Sequence, residues 1–118
     1  MMKILLIDCD PLALKSFEIM LSKEPKMMVL GAVPNCVEAL DICAETEPDV
    51  MLIDIRSDSV NGVNLVKKHY PHIRIVMLIN MDTHLEIDKV VALGVGDYIS
   101  KSWRISSIME KMRGLMEH

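Results

Sequence analysis

The sequence predicts an α/β fold in which a parallel five-stranded sheet is covered by helices on both faces. The chain contains five short apolar runs, most of them continuous rather than alternating, which is the pattern of strands buried on both faces. Helical patterns fill the intervals between these runs, and the strict alternation makes a (βα)5 arrangement. Right-handed crossovers then favour a doubly wound sheet with strand order 2-1-3-4-5.

The apolar runs themselves are the predicted strands. They cover residues 3–8, 28–34, 49–54, 73–79 and 97–100. The first predicted helix begins after Asp10, an N-cap residue that is followed by Pro11 at the first helical position. Leu14, Phe17 and Leu21 then share one face of this helix, which we expect to pack against the sheet.

Capping boxes mark the starts of two further helices. Asn35 and Glu38 have the required spacing at the start of the second helix, and Thr83 and Glu86 repeat it in the fourth. The apolar residues expected to face the sheet are Val37, Leu40 and Ala44 in the second helix, and Ile87, Val90 and Leu93 in the fourth. Gly94 is expected to stop the fourth helix, because glycine readily adopts the left-handed conformation of a helix end.

The last helix is expected to begin at Trp103. Its apolar residues recur at intervals of three, four and seven positions, as one face of a helix requires. They are Ile105, Ile108, Met109, Met112, Leu115 and Met116.

Length and composition restrict the class of protein. The 118 residues, 51% hydrophobic and 25% charged, are enough for one globular domain, here residues 1–118. No apolar stretch is long enough to cross a bilayer, and Met1-Met2-Lys3 runs directly into the first strand, which leaves no room for a signal peptide. A net charge of −4 and only 3% aromatic residues argue against nucleic-acid binding by this chain itself. Three cysteines without a C-x-x-C motif indicate a reducing, cytoplasmic location.

Charged side chains stand at the ends of three predicted strands. Asp8 and Asp54 end the first and third strands, and Lys101 follows the fifth. In open α/β sheets the working crevice lies beyond the carboxyl ends of the strands, at the switch point between strands one and three. Two carboxylates and an amine there could hold Mg²⁺ and a phosphoryl group, since oxygen ligands suit Mg²⁺ and lysine neutralises phosphoryl charge.

Three segments resemble the receiver domain of bacterial two-component response regulators. They are LLIDCDP at 5–11, DVMLIDIR at 49–56 followed by NG at 61–62, and GVGDYISK at 94–101. The resemblance covers essentially the whole chain and implies a flavodoxin-like receiver fold. Within the family, the chain is most similar to receivers attached to a LuxR-type helix-turn-helix output domain.

The resemblance implies roles for individual residues. Asp54 matches the phosphoacceptor, which attacks the phosphorus of a phosphohistidine. Asp8 matches the first of two acids that help to hold Mg²⁺, and Arg56 matches the position whose backbone carbonyl completes the metal shell. Lys101 matches the lysine that pairs with the phosphoryl group, and Tyr98 matches the aromatic residue that changes rotamer on activation.

Two positions depart from the family pattern, and both are positions where the family has a side chain that binds the metal or the phosphoryl group. The second acid of the family falls on Cys9, whose neutral, soft thiol is a poor Mg²⁺ ligand and is expected to be buried and inert rather than redox-active. The following Asp10 is explained by helix capping. Ile79 stands where the family has a Ser or Thr that donates to a phosphoryl oxygen, a bond worth roughly 1.5–3 kcal/mol. Asp58 either adds negative charge near the site or is a solvated loop residue.

The resemblance implies a regulatory domain rather than an enzyme, catalysing at most its own phosphorylation. We expect it to accept a phosphoryl group on Asp54, with Mg²⁺, from a histidine kinase or phosphotransfer protein. The modification would bias a surface near the fourth helix, fifth strand and fifth helix, and so control homodimerisation or a DNA-binding output domain outside this chain. No membrane partner is expected.

One alternative keeps the fold and changes the function. The chain would be a phosphorylation-independent interaction module, in which Cys9 and Ile79 mark lost chemistry. A flavodoxin-like cofactor binder is a more distant alternative, because Cys9-Asp10-Pro11 offers no glycine to cradle a phosphate. Phosphatases that attack through an aspartate are disfavoured by the spacing to Lys101 and by the small single domain.

Overall fold

The structure, a computed structural model, describes residues 1–57 and 59–117, so the expectation for Asp58 lies outside the described residues. Within this part of the chain five strands alternate with five helices. The elements are β1 (Met2–Ile7), α1 (Pro11–Ser22), β2 (Met27–Val33), α2 (Cys36–Thr46), β3 (Val50–Asp54), α3 (Ser59–His69), β4 (Arg74–Ile79), α4 (His84–Ala92), β5 (Asp97–Ser100) and α5 (Ile105–Leu115). The strands form one parallel sheet in the order β2-β1-β3-β4-β5, which confirms the predicted fold and topology. No helix in residues 1–57 or 59–117 is long and apolar enough to cross a membrane.

The sheet separates two hydrophobic cores, which explains why the strand sequences are continuously apolar. Ile4 and Leu6 of β1 belong to the core that also receives buried residues of α1 and α5. Leu5 and Ile7 belong to the opposite core, which receives residues of α2, α3 and α4. Because successive side chains in a strand point to opposite faces, a strand covered on both faces has apolar residues at consecutive positions.

The predicted helix caps are present. Asp10 Oδ1 accepts a hydrogen bond from the Leu12 amide at 3.0 Å. Asn35 Oδ1 accepts from the Glu38 amide at 3.0 Å, and Glu38 Oε2 accepts from the Asn35 side-chain amide at 3.1 Å. At the start of α4, Thr83 Oγ1 accepts from the Glu86 amide at 3.3 Å. The α4 helix ends before Gly94, whose φ of +72° confirms its predicted role as a stop.

The predicted face of α2 is wrong at two of its three positions. Val37 and Ala44 are exposed, whereas Leu40 packs against the core beside the buried Cys36, Ala39 and Cys43. The reason is a close approach between α2 and α3: a Cβ atom added at Gly62 would lie 2.2 Å from Cys36 Sγ and 2.7 Å from Cys36 Cβ. Only small side chains fit between the two helices, so hydrophobicity alone does not identify the inner face.

The contact at Gly62 predicts that replacing this glycine by alanine destabilises the fold. We expect Gly62→Ala to lower the free energy of unfolding by about 1–3 kcal/mol, because the added methyl group overlaps Cys36. Gly114→Ala on α5 is the matched control, since a Cβ there meets no atom within 4 Å. It should raise stability by about 0.5–1 kcal/mol through reduced backbone entropy. Urea unfolding of both variants measures these changes. Equal changes in the free energy of unfolding would contradict the proposed overlap at Gly62.

The start of the last helix also differs from the prediction. α5 begins at Ile105, and Trp103 lies before it in the loop that follows β5. Trp103 Nε1 donates to Asp82 Oδ2 at 2.7 Å, and its ring centroid lies 5.9 Å from that of Tyr98. Trp103 is partly buried and packs on the core shared by α1 and α5, so it anchors this loop.

Candidate functional site

The parallel register places three charged residues together at the carboxyl end of the sheet. Ile7 of β1 pairs with Ile53 of β3, so Asp8 and Asp54 stand next to each other just beyond these partners. On the other side of Asp54, the Lys101 amide donates to the Ile79 carbonyl at 2.8 Å, which extends the pairing of β4 with β5 past the end of β5. Three strand ends predicted separately from the sequence therefore meet at one place.

Both carboxylates are buried and share one amine. Asp8 is 1% exposed and Asp54 is fully buried. Lys101 Nζ lies 2.5 Å from Oδ2 of each carboxylate and donates to both. Buried charges are tolerated only when they are paired and hydrogen-bonded, and these carboxylates meet that condition.

Arg56 adds a second cation to the site. Its backbone amide donates to Asp54 Oδ1 at 2.7 Å. Its guanidinium donates from Nε to the same oxygen at 3.1 Å and from Nη2 to Asp54 Oδ2 at 3.4 Å, while Nη2 lies 3.9 Å from Asp8 Oδ1. Sequence reasoning considered only the backbone carbonyl of Arg56. The signal that could have revealed the side chain is the position of an arginine two residues after a buried aspartate.

These contacts shift the pKa values of Asp54 and Lys101. Burial alone would raise the pKa of Asp54, but hydrogen bonds from Arg56 and Lys101 outweigh burial and hold this pKa below its ordinary value. For Lys101, burial would lower the pKa, but the carboxylates of Asp54 and Asp8 raise it. Asp54 is therefore an ionised carboxylate at neutral pH, which is the form that a nucleophile requires.

Cys9 lies next to the two carboxylates and is exposed, which corrects the expectation of a buried thiol. β1 ends at Ile7, so strand alternation no longer sets the direction of the Cys9 side chain. Its backbone amide donates to Ser57 Oγ at 3.1 Å. One ligand atom from each of Asp8, Cys9 and Asp54 lies within 4.8 Å of the others. The two carboxylates suit Mg²⁺, whereas the thiol does not.

Ile79 ends β4 beside the site but offers no hydrogen-bond donor. It is fully buried in the core shared with α2, α3 and α4. The neighbouring Asn80 is exposed, and its backbone amide donates to Glu86 Oε1 at 3.1 Å. Tyr98 lies on β5, partly buried, with its ring against that of Trp103.

Two buried hydroxyl groups near the strand ends were missed by sequence reasoning. Ser57 Oγ accepts from the Cys9 amide, and Ser100 Oγ donates to the Asn80 carbonyl at 3.3 Å. Both side chains connect loops around the site. Serines are common in exposed loops, so no sequence signal distinguished these two.

Comparisons with known proteins identify the family of the chain. Residues 4–113 match the family described as the response regulator receiver domain. No curated protein sequence matches the chain.

Several solved structures share the fold at low sequence identity. One is the isolated receiver domain of RcsB from Salmonella enterica serovar Typhimurium with phosphomimetic BeF3⁻: 16% identity, TM-score 0.85, 98% of this chain and 88% of that chain covered. Another is a LuxR-family DNA-binding response regulator from Staphylococcus aureus: 14% identity, TM-score 0.83, 98% of both chains covered. A third is the response regulator domain of Thermotoga maritima CheB: 20% identity, TM-score 0.82, 99% of this chain and 97% of that chain covered. Because the family match spans nearly the whole sequence, the chain belongs to the receiver domain family of the response regulators of two-component systems.

Proposed function

We propose that this receiver domain accepts a phosphoryl group on Asp54 from the phosphohistidine of a histidine kinase or phosphotransfer protein. The observation that carries the proposal is the fully buried Asp54, which stands at the carboxyl end of β3 with Lys101 Nζ hydrogen-bonded to it. An Asp54 carboxylate oxygen would form the new bond to phosphorus. The phosphorus–nitrogen bond would break, and its electron pair would return to the imidazole of the donor.

The neighbouring residues of this chain have distinct parts in that step. Lys101 neutralises negative charge on both Asp54 and the incoming phosphoryl group, and it is held in place by Asp8. Asp8, Asp54 and the backbone carbonyl of Arg56 would hold Mg²⁺. When bound, the cation supplies electrostatic stabilisation of the charge that develops on the phosphoryl oxygens.

The same proposal assigns an output surface to α4, β5 and α5. Tyr98 and Trp103 lie there, and the Trp103–Asp82 hydrogen bond connects this surface to the loop that follows β4. Because Trp103 follows Lys101 by two residues, we expect a change at Lys101 to alter the surroundings of Trp103. We propose that this surface controls homodimerisation or contacts with a DNA-binding output domain outside the described chain.

Intact mass spectrometry tests phosphorylation directly. After incubation with acetyl phosphate and Mg²⁺, we expect a mass gain of one phosphoryl group and a change in Trp103 fluorescence. Asp54→Ala should show neither, because it lacks the nucleophile, and Asp49→Ala is the control for an aspartate at the opposite end of β3. Absence of any gain in the folded wild-type protein would instead favour a phosphorylation-independent interaction module.

A further inference from the structure

We propose that the Arg56 side chain is an intramolecular competitor for the divalent cation, which sets how strongly this site binds Mg²⁺. The inference rests on the cation site of the proposed function and goes beyond it. The family resemblance assigns a metal-binding role only to the backbone carbonyl at this position, whereas the structure shows the guanidinium lying across both carboxylates.

The guanidinium lies against oxygen atoms that a cation would need. Asp54 Oδ1 accepts from both the backbone amide and Nε of Arg56, and Asp54 Oδ2 accepts from Lys101 and from Nη2 of Arg56. Asp8 Oδ1 accepts from the Asp10 amide and faces Nη2 at 3.9 Å. An ion that binds both carboxylates at metal–oxygen distances therefore competes with the guanidinium for the Asp54 oxygens.

The charge of Arg56 also opposes cation binding. Asp8 and Asp54 supply two negative charges, which Lys101 and Arg56 balance. Cys9, which stands where the family has its second acid, adds a thiol rather than a further carboxylate. With Arg56 in place, the described cations that contact Asp8 and Asp54 balance the two carboxylate charges, which weakens the attraction for a divalent cation. With Arg56 removed, one negative charge is uncompensated.

The exposure of the Arg56 side chain makes its competition with a cation reversible. The Arg56 side chain is 48% exposed, whereas the Lys101 side chain is only 17% exposed. Arg56 is therefore free to rotate into solvent while its backbone amide stays on Asp54. A guanidinium keeps its charge over the whole accessible pH range, so the competition is not relieved by a change of pH. The expected behaviour is weak, displaceable Mg²⁺ binding rather than none.

Mg²⁺ titrations of the whole protein, without any phosphoryl donor, test this proposal. Binding is followed by amide NMR shifts at the strand ends and by Trp103 fluorescence, at constant ionic strength. We expect Arg56→Ala to bind Mg²⁺ on the order of tenfold more tightly than the wild type, because one positive charge within contact distance of two carboxylates is lost. Arg56→Gln removes the charge but keeps hydrogen-bonding groups, and it takes the place of the alanine variant if that variant does not fold.

Arg113→Ala is the matched control. Arg113 Nε lies 3.2 Å from Glu24 Oε2 and its side chain is 55% exposed, so it resembles Arg56 in geometry and exposure but lies on α5, paired with Glu24. Its loss changes the net charge equally and should leave Mg²⁺ affinity unchanged. Equal affinities in the wild type and the Arg56 variants, weaker binding in those variants, or no Mg²⁺ binding in any variant would overturn the proposal. The titration contains no phosphoryl donor, so its outcome is separate from that of the phosphorylation experiment.

Discussion

Lys101→Met is expected to lower the free energy of unfolding by about 3–5 kcal/mol near neutral pH, because it leaves two buried carboxylates without their shared amine. Arg56 then remains as the single cation on Asp54, and it is too exposed to replace a buried ammonium group. The same change removes the positive charge proposed to neutralise the phosphoryl group. Phosphorylation of Asp54 by acetyl phosphate should therefore be lost as well.

The stability effect of Lys101→Met should depend on pH in a defined direction. In the folded wild type the pKa of Asp54 lies below its ordinary value of 3.8. Ionised Asp54 thus stabilises the fold above that value, and the contribution is lost as the pH falls through the folded pKa. Without Lys101 the burial of Asp54 is less well compensated, so its pKa should rise and the contribution should shrink. The difference between wild type and variant is therefore largest near pH 7 and decreases below about pH 4.

Urea unfolding at several pH values provides the measurement. Lys89→Met, at an exposed position on α4, is the control for replacing a lysine by methionine, and it should change stability by less than about 0.5 kcal/mol. A difference between wild type and Lys101→Met that stays constant from neutral to acidic pH would contradict the assigned ion pairs. It would mean that the lost stability does not come from the charge of Lys101 on the two carboxylates.

Ile79→Thr is expected to increase the steady-state occupancy of phosphoryl-Asp54 by roughly 10- to 100-fold, because it supplies a hydroxyl donor worth about 1.5–3 kcal/mol to a charged acceptor. Ile79 ends β4 one residue beyond Leu78, which pairs with Asp54 in the sheet. The family resemblance implies a hydroxyl donor at this position, so we expect the Thr hydroxyl to reach the proposed phosphoryl group from the end of β4. The Trp103 fluorescence change on phosphorylation should grow in parallel, since a donor at this position would couple Asp54 to the loop after β4.

Ile79→Val is the control that separates the effect of the added hydroxyl group from the effect of a smaller side chain. Valine has nearly the shape of threonine, and both replacements remove a methyl group from a fully buried site, at a cost of about 0.5–1.5 kcal/mol in stability for the valine variant. Only the threonine variant should gain phosphoryl occupancy, measured by intact mass after acetyl phosphate treatment. If both variants behave like the wild type, another group already donates to the phosphoryl oxygen or the domain signals without phosphorylation.

The order of the elements and the place of the site were determined by the sequence alone. Each depends on local patterns: continuous apolar runs for two-sided strands, cap residues such as Asp10 and Asn35, and the rule that parallel strands deliver their carboxyl ends to one edge. Asp8, Asp54 and Lys101 were found in this way, because each lies at the end of a strand. The parallel sheet then brings these three strand ends together at one edge. The roles assigned to these residues in phosphotransfer stay predictions.

Features that depend on contacts between distant segments were decided only by the tertiary structure. The inner face of α2 is set by how closely α3 approaches it at Gly62, and this distance selects Cys36 over the more hydrophobic Val37. Cys9 is exposed because it follows the strand rather than belonging to it. The Arg56 guanidinium lies on the carboxylates because two buried charges attract a flexible cation, and side-chain direction in a loop has no sequence period from which to predict it.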